Sequence, residues 1–92
     1  MTVSVHEKRR EARRPAAGSV RVSYSNPQRQ EVQGRLIDLS ASGFRMAHAC
    51  VSLAPGQVVE FTHVEAAGKA QVIWNRIVED RVETGFLVVE SF

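Results

Sequence analysis

Six short runs rich in apolar residues, each closed off by turn formers, occupy positions 20 to 90, and nothing between them repeats at helical spacing. Val20, Val22 and Tyr24 alternate with Arg21 and Ser23, as a half-buried strand requires. "SNPQRQ" supplies a turn in which Pro27 fixes its own φ and cannot donate to a ladder. A second strand is expected from about Glu31 to Leu39, and a third at "GFRMAH", with Phe44 and Met46 on one face. After the "APG" break at 54–56 come "QVVEFTHV", "KAQVIWNRIV" and "VETGFLVVE". In the last of these, Phe86 and Val88 alternate with Leu87 and Val89. Strands of this number and spacing predict an all-β chain: a small six-stranded antiparallel β-barrel, or a sandwich, in which closure removes exposed edges.

Ninety-two residues hold one core, and a hydrophobic fraction of 43% is enough to fill it. Cys50 has no second cysteine to pair with, which suits a reducing compartment. Charges interrupt the first twenty residues where a secretion signal needs an apolar run, and no window is apolar for the length of a membrane span. A cytoplasmic protein without membrane insertion is therefore expected, and one this small is expected to be a monomer. The formal charge is only +2, yet Lys8, Arg9, Arg10, Arg13 and Arg14 stand against Glu7 and Glu11 in the first fifteen residues, leaving the remainder slightly acidic. The chain thus divides into a basic N-terminal arm, 1–15, and a barrel domain, 16–92. Residues 6 to 14 are long enough for only a marginal helix, so a flexible arm is expected when no ligand is present. A cationic arm on a nearly neutral body suits a compact anion better than a long polyanion.

Two segments carry recognisable chemistry. Arg9 and Arg13 are four apart, so a helical arm would project both guanidinium groups from one side, each a planar fork matching phosphate oxygens. The alternative is a solvated tail. "DLSASG" at 38–43 ends an apolar strand. Asp38 and Ser40 would leave that strand on one face, Asp38 as acceptor for a base edge or an arginine and Ser40 as donor to phosphate. Gly43 would permit positive φ and close approach of a ligand. The same residues also make an ordinary tight turn whose side chains cap their own backbone. Trp74, in "QVIW", alternates with Val72 and either fills the barrel end or meets a ligand. His6, His48 and His63 lack metal-ligand spacing, and Cys50 reads as a small buried apolar residue rather than a nucleophile.

In order along the chain, "RxxxR" and "DxSxxG" resemble the PilZ domain, a bacterial receptor module for cyclic di-GMP. "SLAPGQVVEF" is similar to that family's turn and strand, and "AQVIWNR" with "ETGF" to its penultimate and closing strands, so the likeness runs from Glu7 to about Val89. The resemblance implies a six-stranded antiparallel barrel whose arginine motif folds over the ligand. By it, Arg9 and Arg13 grip phosphates and stack on guanine, with Arg10 assisting. Asp38, Ser40 and Gly43 meet a guanine and the phosphodiester ring, and Trp74 and Arg76 lie beside the ligand. Departures are also visible. The sequence ends at "VVESF" without the long C-terminal helix of many members, and Glu11 and Lys8 alter the surroundings of the first arginines, leaving open whether one nucleotide or two bind.

Three functions follow as expectations. The first is a cyclic di-GMP receptor, with no other cofactor, that acts on a separate, unidentified protein when its arm becomes ordered. The second is an adaptor of the same fold that binds protein without nucleotide. The third is a small nucleic-acid-binding barrel, disfavoured because the aromatics are few and the body is slightly acidic. An enzyme is not expected, since Asp38 has no partner carboxylate, nucleophile or metal cluster.

Overall fold

All six expected strands form, and a seventh, very short one precedes them. The computed structural model describes residues 12–25, 27–50 and 52–92. Its strands are β1 (Arg14–Pro15), β2 (Ser19–Ser25), β3 (Arg29–Leu39), β4 (Gly43–His48), β5 (Val58–His63), β6 (Ala66–Val78) and β7 (Arg81–Ser91). Every pairing is antiparallel. The hydrogen-bonded order β3-β2-β5-β6-β7-β4 is closed by pairing of β4 with β3, which makes a six-stranded barrel. No helix occurs among the described residues.

The extra strand β1 lies within the stretch that the sequence assigns to the arm. It continues the line of β2 along β3, with Arg14 opposite Leu39 and Pro15 opposite Asp38. Gly18, at φ 122°, makes the bend between β1 and β2, a conformation that side chains disfavour. Two residues ending in proline carry no alternation, which is why β1 is invisible to a period-two reading.

Inward residues of the strands fill the barrel. Phe44 stacks on Phe86 at 4.7 Å between ring centres and meets Phe61 at 4.9 Å. Val22, Met46 and Val72 are fully buried beside them. Two register shifts matter for the outer wall. In β3, Leu36 is opposite Met46 and Asp38 is opposite Arg45, so Ile37 is an extra residue. In β6, Val72 is opposite Phe86 and Trp74 is opposite Gly85, so Ile73 is extra. Such bulges let two successive side chains leave the same face of the sheet.

Candidate functional site

Because of the two bulges, Asp38 and Trp74 face outward although Leu36 and Val72, two residues earlier on each strand, face the core. The pairings then align Asp38 on β3, Arg45 on β4, Gly85 on β7 and Trp74 on β6 in one row across four strands. At its centre a side chain is missing. A Cβ built on Gly85 would lie less than 3.0 Å from three atoms of the Trp74 ring, so the indole lies across that strand where only glycine leaves room. Trp74 is half-buried on the wall and is not part of the core cluster, so it does not fill the barrel interior, and its ring packs on the wall at Gly85.

Asp38 is the electrostatic centre of the row. Its side chain is only 9% exposed, and two guanidinium groups converge on it. Arg13 donates from one terminal nitrogen to Oδ1 at 3.0 Å. Arg45 donates through Nε to both oxygens, at 2.9 and 3.0 Å, and through a terminal nitrogen to Oδ2. These bonds, chiefly those from Arg45, hold the Asp38 carboxyl below the usual carboxylate range against the opposing effect of burial. Arg13 is 42% exposed and Arg45 26%, so both cations keep a solvent-facing side.

Next to this row, Arg76 is opposite Glu83 and bonds it at 3.0 Å, while Arg81 reaches the other oxygen of Glu83 at 3.1 Å. The guanidinium of Arg76 also sits 5.6 Å from the centre of the Trp74 ring, within cation–π range. From Arg13 to Arg81 the wall therefore carries four guanidinium groups against two carboxylates, with one half-buried indole among them. Such a surface suits an anion with planar rings.

Behind it runs a chain of buried polar groups. The Cys50 amide donates to His48 Nδ1 at 3.0 Å, so the neutral ring carries its proton on Nε2 and donates to Thr84 Oγ1 at 2.6 Å. Thr84 donates to Asn75 Oδ1 at 2.6 Å, and Asn75 Nδ2 donates to the Leu53 carbonyl at 2.7 Å. Burial lowers the pKa of His48. Asn75 and Thr84 follow Trp74 and precede Gly85 in sequence, so this chain fixes the inner side of the same wall.

The sequence-derived site residues separate into groups. Arg13, Asp38, Trp74 and Arg76 share the outer face just described, whereas Arg9 and Arg10 lie outside the described residues. Ser40 and Gly43 are at the barrel end. Strand β3 stops at Leu39, so two-residue alternation does not extend to Ser40, whose hydroxyl donates to the Gly43 carbonyl at 3.4 Å, the self-capping arrangement of a turn. Ser40 lines a cleft of about 190 Å3 with Phe44, Phe61 and His63, and Arg14 bonds Glu65 at its rim through two contacts, at 2.6 and 3.1 Å. The positive φ expected at Gly43 is not present: among the described residues the glycines of that kind are Gly18 and Gly56. Gly43 is needed for a different reason, because a Cβ there would run into the Phe86 carbonyl of β7.

Arg45, Gly85 and Glu83 are the residues that sequence reasoning missed. Arg45 had one sign, a cation between the inward Phe44 and Met46, but its partner depends on register between strands. A family model described as the PilZ domain matches residues 7–90 of the chain. No curated protein matches it.

Proposed function

The chain belongs to the PilZ domain family, and on that footing we propose that it is a cyclic di-GMP receptor whose arginine arm becomes ordered on the outer wall when the nucleotide binds. One observation carries this reading: Arg13, from the first motif, and Asp38, from the second, are joined at 3.0 Å in a row that ends at Trp74. Cyclic di-GMP offers two phosphates and two purines. Guanidinium groups bind the first by ionic hydrogen bonds and the second by stacking, and an indole adds an aromatic platform. Arg9 and Arg10 would close over the bound ligand from the arm, with Ser40 and Gly43 shaping the strand end beside it. The work is binding rather than catalysis, and the output passes to a separate protein that meets the altered surface. We place this receptor in the cytoplasm as a monomer; no helix of the described residues is long and apolar enough to cross a membrane.

An adaptor role gains some support from Ile73 and Leu87, which are exposed on the outer wall close to Trp74. Titration calorimetry with cyclic di-GMP separates the two. The receptor reading expects a dissociation constant on the order of micromolar for the wild type. It expects Arg13→Ala to be weaker by about tenfold or more, the equivalent of one charge-assisted hydrogen bond. A folded wild type that shows no binding at millimolar nucleotide removes the receptor reading and leaves the adaptor.

A further inference from the structure

We propose that Arg45, which belongs to neither motif, is a third arginine of the binding face: Asp38 sets its guanidinium, and the guanidinium takes a phosphate of the ligand. This rests on the receptor reading above.

An ionised carboxylate has about four acceptor positions. Arg13 and Arg45 together direct three N–H groups onto the two oxygens of Asp38, with the Arg45 Nε–H shared between both, so most of its acceptor capacity is taken. The carboxylate is also nearly enclosed, and its negative charge would repel a phosphate. Asp38 instead holds two cations in place, and the trio keeps one surplus positive charge.

Arg45 has donors to spare. A guanidinium carries five N–H groups in a fixed plane, and the contacts with Asp38 use Nε and one terminal nitrogen. Its other flank adjoins Gly85, over which the Trp74 indole lies, and the Arg45 side chain keeps 26% of its surface exposed. Two strand spacings separate β4 from β6, roughly 10 Å along the sheet. A phosphate on Arg45 therefore leaves its attached purine within reach of the indole, the order in which a nucleotide presents these groups. Lysine could not do the same work, since a point charge cannot bond a carboxylate side-on and a phosphate in the same plane.

The test is titration of the full chain with cyclic di-GMP at several salt concentrations, for wild type, Arg45→Gln and Arg45→Lys, with urea unfolding run on each. Arg45→Gln should bind about ten- to a hundredfold more weakly, the equivalent of one lost charge-assisted hydrogen bond, with Arg45→Lys between it and wild type. The loss should come with a shallower dependence of affinity on salt, because one ligand-facing charge has gone. Unchanged affinity in Arg45→Gln overturns the proposal. So does weaker binding with an unaltered salt dependence, which would make Arg45 a support for Asp38 and nothing more. If Arg45→Gln fails to fold, Arg45→Lys, which keeps the charge, is judged by affinity alone, and binding equal to wild type overturns the proposal. Absence of binding by the folded wild type overturns the receptor reading and this proposal with it, whereas binding by wild type that is indifferent to position 45 overturns this proposal alone.

Discussion

At the scale of single residues, the outer wall depends on one carboxylate and one absent side chain. Asp38 has a folded-state pKa below its unfolded value, so its pairing contributes stability above the unfolded pKa and loses it as pH falls through the folded one. Asp38→Asn should therefore cost about 1–3 kcal/mol near pH 7, reduced from the cost of a fully buried pair because both arginines are partly solvated. Urea midpoints of wild type and variant should converge in acid, below the depressed pKa, where the wild-type carboxyl is neutral as well. Gly85→Ala places a methyl group where the Trp74 ring now lies. Since what it meets is a half-exposed side chain rather than backbone, the barrel should survive with a loss of about 1–3 kcal/mol. Trp74 is the only tryptophan of the chain, so its fluorescence reports the displacement without interference. A red shift is expected in Gly85→Ala, and a ligand-induced change in the wild type.

At the scale of elements, the connection between β4 and β5 is held by side chains more than by pairing. His48 and Asn75 bond its backbone at Cys50 and Leu53, and Ser52 meets the Tyr24 hydroxyl at 2.9 Å. His48 is buried neutral, so the unfolded chain takes up a proton first on acidification. This element therefore contributes fully above about pH 6.5, the unfolded value, and loses stability as pH falls from there towards the lower folded pKa. His63 is shifted the same way by burial, so His48→Gln should remove part of the decline in urea midpoint between pH 7 and 5, and His63→Gln another part. The elements themselves were largely legible. Alternation located β2 to β7 because a half-buried wall has to alternate. It missed β1, which is too short to show a period, and it could not show which residue of β4 stands opposite Asp38. Arg13, Asp38 and Trp74 were legible as candidates through motif and residue chemistry. Arg45 and Gly85 gain their meaning from cross-strand register, which no local pattern of residues encodes.

At the scale of the molecule, the ring closes through partners distant in sequence: Arg21 is opposite Thr62, and Phe44 is opposite Phe86. Such non-local pairing favours slow, cooperative folding, in the range of milliseconds to seconds. Phe44 joins both sides of the ring through its contacts with Phe61 and Phe86 and is fully buried. Phe44→Ala should cost about 3–5 kcal/mol, a large part of the roughly 5–15 kcal/mol available to a domain of this size. Denaturant melts followed by circular dichroism should show one transition, shifted sharply to lower urea. The two bulges bear on how such a barrel can vary. Ile37 and Ile73 are each an extra residue against a regular partner strand, so excising either would leave Asp38 opposite Arg45 and Trp74 opposite Gly85. Excising a residue from a regular stretch of the same strands would instead turn the side chains beyond it through the wall. With Val89, the extra residue of β7 between the partners of Lys69 and Ala70, these are three places where the chain can change length by one without exchanging its inside for its outside, and insertions or deletions among descendants of this sequence should collect there.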